Sequence, residues 1–275
     1  MQIIETTIEL QEHVKEHKKI SFVPTMGNLH NGHLALFNVA FKKSHEMIIS
    51  IFINPTQFND QNDFRNYPRT ITEDLSLIAE NFPSAKVFIP TEKEIYPNSS
   101  KKNYELGSIA HELCGKFRPG HFNGVINVID ILLGMIGPSY LILGKKDYQQ
   151  LCIIEKFCKI AYPEVKIISV DTVRDKNNLA LSSRNNLLED KLKAADLFQI
   201  LFEASLKIKS IADIEEQTYL AKEKLLQKNW HVDYLEVKTR EKLTQPNLDD
   251  KALIILAAAY FDKIRLIDNI EFCIE

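Results

Sequence analysis

Short, continuous apolar runs alternate with longer amphipathic stretches along most of the chain, and this alternation restricts the fold more than any other feature. The segments "ISFVPT", "MIISIFI", "KVFIP", "SYLILG" and "EVKIISVDTV" each read as a strand. They lack the in–out alternation of a sheet with one wet face, so they predict a parallel sheet covered on both sides. Between them, "HLALFNVAFKK", "TEDLSLIAENF", "FNGVINVIDILLGMIG" and "DYQQLCIIEKFCKIA" read as helices. The fold class expected is α/β. In such a sheet, ligands bind beyond the carboxyl ends of the strands.

The pattern changes near residue 185. "LLEDKLKAADLFQILFEASLKI" and "DIEEQTYLAKEKLLQK" read as two helices, followed by the strands "HVDYLEVKT", "ALIILAAAYF" and "KIRLID". The chain has 275 residues, comfortable for two domains. The division expected is a sheet domain over 1–184 and a smaller α+β C-terminal domain over 185–275. A net charge of −3 lacks the basic surplus of a nucleic-acid-binding surface. Cys114, Cys152, Cys158 and Cys273 form no C-x-x-C pair and read as free thiols in a reducing compartment. "MQIIETTIEL" is no signal peptide, and "ALIILAAAYF", the longest apolar run, is too short for a membrane span. The expectation is a cytoplasmic protein with no membrane or nucleic-acid partner.

The chemistry concentrates in four stretches. In "PTMGNLHNGH", residues 24–33, Pro24 is expected to end the strand, because it cannot donate to a ladder. Gly27 and Gly32 permit close backbone approach. His33 is read as opening the next helix, whose N-terminus attracts anions. His30 and His33 lie one turn apart and suit a polyphosphate that gains charge during reaction. The same pair could ligate zinc, but no third ligand is tied to it; His111 and His121 have no evident link to the turn. In "GKKDYQQ", residues 144–150, a lysine can meet a phosphate and Asp147 can cap a helix or accept from a ribose hydroxyl. "LSSRN" offers Ser182, Ser183 and the Arg184 fork to phosphate oxygens. In "IFINPTQF", Asn54 and Gln57 beside Phe58 suit a small polar acid with an apolar body. The histidine turn favours phosphate over metal, and both over a bland polar loop, whereas the other stretches taken alone read as well as a solvated turn or a helix cap; three that follow strands of one sheet argue for a nucleotide. Neither G-x-x-x-x-G-K-[ST] nor G-x-G-x-x-G is present. The Asn-, Asp- and Gln-rich stretch from Asn54 to Arg69 reads as a lid or a slack loop.

The H-N-G-H turn resembles the H-I-G-H signature of nucleotidyltransferases and class I aminoacyl-tRNA synthetases. The ordered set "PTMGNLHNGH", "SIFINPTQF", "YPRT", "RPGHFNGV", "GKKDYQQL" and "LALSSRN", continued by "VDYLEV" and "RLIDNI", resembles the pantothenate synthetase family over nearly the whole chain. That resemblance implies a Rossmann-like parallel-sheet domain, a smaller C-terminal domain and a homodimer. It implies that ATP and pantoate give pantoyl adenylate and pyrophosphate, and that β-alanine then attacks to give pantothenate and AMP, with Mg2+ accompanying ATP.

Carried onto this sequence, the resemblance places His30, His33 and Lys146 at the ATP phosphates, with Ser182, Ser183 and Arg184 closing over them. Gly144 and Asp147 would hold the ribose, and the backbone near Val173 and Leu181 the adenine. Met26 stands among the ATP-binding residues and, with Phe58, packs on the pantoate dimethyl group. Gln57 and Gln150 would grip pantoate, with Asn54 and Arg118 as second contributors. Glu73 or Asp74 would help place magnesium, and "NDQNDFRNYPRT" would be a mobile lid. Three positions depart from the family pattern: Lys145 stands where glutamate is usual, Asn178 where glycine is usual, and Thr56 where methionine is frequent, which would alter the pocket wall slightly. Asn178 is expected to keep its turn, since Asn tolerates left-handed backbone. The rivals are another adenylyltransferase of the same superfamily and a non-catalytic nucleotide sensor. The first does not account for "NPTQF" together with "RPGHFNGV" and "GKKDYQQL"; the second predicts loss of a charged site residue.

Overall fold

A computed structural model describes residues 1–97 and 102–275. Strands β1 (Gln2–Ile4), β2 (Ser21–Thr25), β3 (Met47–Ile51), β4 (Lys86–Phe88), β5 (Tyr140–Gly144) and β6 (Lys166–Val170) form one parallel sheet in the order β1-β4-β3-β2-β5-β6. Helices α1 (Thr7–Lys15), α2 (Asn31–Lys43), α3 (Gln61–Asn66), α4 (Ile71–Asn81), α5 (Glu92–Ile95), α6 (Cys114–Phe117), α7 (His121–Ile136) and α8 (Tyr148–Ala161) lie between them. The strands are apolar on both faces. Phe22, Ile48 and Phe88 pack with α7 and α8, while Val23, Ile49 and Val87 pack with Phe37 and Ala40 of α2 and Ile78 of α4. The expected α/β architecture is therefore present. β1 and α1 carry too little periodic signal to have been expected from sequence: β1 has only three residues.

The chain adds β3 and β4 to one side of β2, then returns to place β5 on the other side. This reversal is the switch point at which such sheets open a binding crevice. Pro24 contributes to the opening, although not by ending the strand. It sits within β2 opposite Ser50 of β3, whereas pairing of β2 with β5 stops at Phe22. A residue without an N–H is tolerated there because the ladder has already parted on one side.

The second unit is an antiparallel sheet of β7 (His231–Thr239), β8 (Ala252–Phe261) and β9 (Ile264–Cys273) with helices α9 (Lys191–Ala194), α10 (Asp196–Lys207) and α11 (Asp213–Gln227). The single helix expected from "LLEDKLKAADLFQILFEASLKI" is divided at Ala195, after Asp190 caps α9 by accepting the Lys193 N–H. β9 runs five residues beyond the expected end, because Asn269–Cys273 pair with β8 despite their polarity. β8 is buried on both faces: Leu253, Ile255 and Ala257 join the core under α10 and α11, and Ile254, Leu256 and Ala258 join that of the large sheet.

Candidate active site

The turn after β2 is built around two left-handed residues, Gly27 (φ +77°) and Asn28 (φ +51°). A Cβ on Gly27 would lie 2.9 Å from Asp74 Oδ2. That carboxylate organises the turn: Oδ2 accepts the Asn28 N–H at 2.9 Å and Oδ1 the Leu29 N–H at 2.7 Å, with the Thr70 hydroxyl at 3.3 Å. Burial raises the Asp74 pKa above its ordinary value, and the N–H donors of Leu29 and Asn28 oppose that shift. The assignment of magnesium to Glu73 or Asp74 is therefore corrected. Asp74 is 3% exposed with both oxygens engaged, Glu73 is exposed on α4, and neither borders the cavity described below.

Helix α2 starts at Asn31, two residues earlier than expected, with His30 as its N-cap and His33 in its first turn. His30 Nδ1 accepts the Gly32 N–H at 3.1 Å, and His33 Nδ1 accepts the His30 N–H at 3.2 Å. A neutral imidazole that accepts through Nδ1 carries its hydrogen on Nε2. Burial, then the Lys146 charge, lowers the His30 pKa to about 4. Burial, then His30 and Lys146, lowers that of His33 to about 3. Both rings are thus neutral Nε2–H donors at pH 7, and their centroids stand 4.2 Å apart. Gly32 is required for this packing, since a Cβ there would meet His30 Cε1 at 2.8 Å. Zinc bound at this turn would have to displace these bonds, and among the described residues no third ligand completes the pair.

One consequence is a pH profile. Because the folded pKa values lie below the usual 6.5, both rings stay neutral as pH falls through 6.5, and the acid limb of kcat/KM, which reports the free enzyme, should show no ionisation there. Stability has the opposite sensitivity. The unfolded chain takes up histidine protons below about 6.5 that the folded state refuses, so stability is present above that pH and is lost toward pH 4. A kcat/KM inflection near 6.5, in protein shown to be folded by circular dichroism, would contradict the neutral-donor assignment.

The "GKKD" turn separates its two lysines. Lys145 Nζ is held 2.8 Å from both Asp171 and Glu271, and these hydrogen bonds raise its pKa. Lys146 borders the cavity, its nearest carboxylate being Asp147 at 3.7 Å. The Asn269 amide fixes the turn by donating to the carbonyls of Lys145 and Lys146. Asp147 makes no side-chain cap to α8. Arg184 pairs with Asp63 of α3 at 2.9 Å.

The amides divide by role. Asn54 is 1% exposed, and its carbonyl oxygen receives Tyr96 OH (2.8 Å), Thr56 Oγ1 (2.9 Å) and the Thr56 N–H (3.2 Å). Its Nδ2 donates to Gln57 Oε1 and to the Gly124 carbonyl, each at 3.0 Å. Asn54 borders the cavity, and its hydrogen-bonding atoms are engaged within the protein, one of them holding the Gln57 side chain. Gln57 Nε2 is left beside Met26 Sδ at 3.1 Å. Thr56 faces Asn54 and the Gly124 carbonyl and does not line this cavity, contrary to the expected change in its wall. His121, unassigned from sequence, donates from Nδ1 to the Gln57 carbonyl at 2.7 Å and receives Arg118 NH1 at Nε2, 3.2 Å. Among the described residues, no carboxylate pairs with Arg118.

The loop carrying Val173 and Leu181 is closed by the Leu181 N–H donating to the Val173 carbonyl at 2.9 Å. Asn178 adopts φ +68°, the left-handed backbone expected of it. Arg174, bidentate to Asp268, anchors the loop to β9. Ser182 accepts the Arg184 N–H, and Ser183 exchanges hydrogen bonds with Asn28, so this loop and the histidine turn are fastened together.

These pieces enclose a cavity of about 270 Å3 at the switch point. The histidine turn contributes Met26, His30 and His33. Gln57 and Phe58 come from the segment after β3, Arg118 from the one before α7, and Gly144, Lys146, Asp147 and Gln150 from the β5–α8 junction. Val173, Leu181, Ser182, Ser183 and Arg184 complete the wall. A second cavity of about 380 Å3, between β9 and the starts of α7 and α8, shares residues with the first, Arg118, Lys146, Gln150 and Arg184 among them.

A Rossmann-like sheet with an H-x-G-H turn at its switch point, facing a lysine and a Ser-Ser-Arg loop, defines a nucleotide-binding enzyme. Residues 2–271 match the family model "Pantoate-beta-alanine ligase". A pantothenate synthetase of Neisseria meningitidis serogroup B is 43% identical over 98% of this chain and 99% of its own length. That of Vesicomyosocius okutanii is 39% identical over 98% and 96%. The crystal structure of pantothenate synthetase from Thermus thermophilus superposes with a TM-score of 0.88 at 32% identity, covering 98% of this chain and 99% of that one. The Francisella tularensis enzyme, crystallised with "Beta-gamma ATP" and β-alanine, gives 0.81 at 34% identity over 98% and 97%. The chain belongs to the pantoate–β-alanine ligase family.

Proposed function

We propose that this chain ligates pantoate to β-alanine through a pantoyl adenylate. ATP lies across the histidine turn, its triphosphate against His30, His33, Lys146 and the Ser182–Arg184 loop. Gly144 and Asp147 hold the ribose, and the backbone at Val173 and Leu181 meets the adenine. Pantoate sits between Gln57, Gln150 and Arg118, with Met26 and Phe58 on its methyl groups. Its carboxylate attacks the α-phosphorus and pyrophosphate leaves. The amine of β-alanine then attacks the acyl carbon, giving pantothenate and AMP. The observation that carries this reading is the pair of neutral Nε2–H donors fixed beside Lys146. Two hydrogen bonds and one cation meet charge that grows on the phosphate oxygens, so positioning and electrostatics suffice without a protein nucleophile.

Magnesium arriving with ATP takes its ligands mainly from phosphate oxygens and water. The residues present fit that mode, because among the described residues no free carboxylate pair stands at the turn: Asp74 is engaged and Glu73 lies outside. The ion would neutralise triphosphate charge. Arg184 must exchange Asp63 for phosphate, which couples α3, at the edge of the second cavity, to nucleotide binding.

Exchange of labelled pyrophosphate into ATP, with magnesium and no β-alanine, tests the intermediate. Exchange that requires pantoate is the expected result. Its absence in a folded protein that binds ATP would favour another acceptor or a nucleotide sensor.

A further inference from the structure

At the opposite end of the sheet, where β3 begins, three side chains converge that play no part in the reaction. His13 lies in the last turn of α1, His17 one turn further on, and Glu46 just before β3. His13 Nε2 stands 2.7 Å from Glu46 Oε1, and His17 Nε2 3.2 Å from Glu46 Oε2. The imidazoles stack with centroids 4.4 Å apart, and one ligand atom from each residue falls within 4.8 Å of the others.

The tautomer of His17 shows what this arrangement lacks. Its Nδ1 is 2.8 Å from the His13 carbonyl oxygen, which can only accept, so Nδ1 carries the hydrogen. In the neutral ring, Nε2 then presents a lone pair to a carboxylate oxygen. Two lone pairs facing each other at 3.2 Å leave a place for a cation between them, either a proton on Nε2 or a metal ion. An Nδ1–H donated to a backbone carbonyl is also the outer bond that orients histidines on metals. The carboxylate is equally well fixed. The Glu46 carbonyl accepts the Ser21 N–H at 3.0 Å, and its N–H donates to Ser44 Oγ at 3.1 Å, so the residue is tied to the start of the β2–β3 ladder.

We propose that His13, His17 and Glu46 form a zinc site that staples α1 to the sheet. Two imidazoles and a carboxylate are a zinc donor set, with water as the fourth ligand. Bonds of about 2.0–2.2 Å in a tetrahedron place ligand atoms roughly 3.3–3.5 Å apart. His13 and His17 approach the two different oxygens of Glu46, at 2.7 and 3.2 Å, and one ligand atom from each residue lies within 4.8 Å of the others, so small side-chain shifts bring all three to one ion. These residues lie half-buried at the amino ends of the strands, away from the catalytic cavity at the carboxyl ends, so the site would bear on stability and not on turnover.

The test is titration of the untagged, metal-stripped full chain with zinc chloride at pH 7.5, without ATP, followed by calorimetry and thermal unfolding. Wild type should bind one zinc per chain at about micromolar Kd or tighter and unfold at a higher temperature when loaded. His17→Ala, at a partly exposed position, should bind more than about tenfold more weakly, lose the zinc-dependent rise in Tm and keep its pantothenate-forming activity. Glu46→Gln should behave likewise. Zinc binding that is absent from wild type, or equal in wild type and both variants, would overturn the proposal. The first result would assign the gap between His17 and Glu46 to a proton, the second would place the metal elsewhere on the chain.

Discussion

Replacing Lys146 with alanine should lower pantoate-dependent pyrophosphate exchange about a hundredfold or more, while Lys145→Ala leaves it within about threefold. The two residues are adjacent and carry the same charge, so the contrast rests on geometry. Lys146 borders the cavity, and its only neighbouring carboxylate among the described residues is Asp147 at 3.7 Å, too long for a strong hydrogen bond. Its field lowers the pKa of both His30 and His33, which places its charge at the proposed triphosphate subsite. A cation that meets charge developing on phosphate is worth roughly 3 kcal/mol in the transition state, or about a hundredfold in rate. The loss should fall chiefly on kcat, because the charge grows as the reaction proceeds.

Lys145 instead joins Asp171 and Glu271, with Tyr148 and Arg240 next to the same glutamate. Removing it weakens a partly exposed network between β6 and β9; Lys145 itself does not line the cavity, and its partner Asp171, which does, is exposed enough for solvent to screen the charge left behind. This also explains how the chain accommodates lysine where the family pattern has glutamate: an acid there would face both Asp171 and Glu271. Equal losses in the two variants, or a greater loss at Lys145, would reverse the assignment.

The chemistry-bearing groups are legible because they sit in short local patterns. H-N-G-H, G-K-K-D and S-S-R each follow a strand, and in a doubly covered sheet the ends of strands are where ligands bind. Nothing local says which lysine of G-K-K turns inward; that depends on Glu271, more than a hundred residues away in sequence. The supporting groups are illegible for the same reason. His121 reaches the Gln57 carbonyl across 64 residues, and Asp74 reaches Asn28 across 46. An acid following "YPRT" near a nucleotide site reads naturally as a metal ligand. Only burial against an N–H pair shows otherwise. Asn54 is incompletely legible in a related way: a polar amide beside a pocket reads as a substrate contact, and only the fold shows Tyr96, Thr56 and Gly124 at its hydrogen-bonding atoms.

Asp74 yields the second large effect. Asp74→Ala should destabilise the protein by about 3 kcal/mol, because the Asn28 N–H is buried and the Leu29 N–H nearly so, and each unpaired buried donor costs roughly 1–3 kcal/mol. Asp74→Asn should be nearly as damaging despite its similar shape. The amide keeps one oxygen for one N–H but turns an NH2 toward the other, opposing donor to donor. For a chain of this size the loss corresponds to a fall in Tm of roughly 6–12 °C. Activity should fall at least tenfold in both variants, since the Gly27–Asn28 turn fixes the start of α2 and with it the cap that sets the histidine tautomers. Raising magnesium separates this role from metal binding. If Asp74 held the ion, excess magnesium would restore exchange; if it holds the backbone, exchange stays low at every magnesium concentration. An asparagine variant with native Tm and activity rescued by magnesium would return Asp74 to the metal and leave the turn to be held by Thr25 and Ser183 alone.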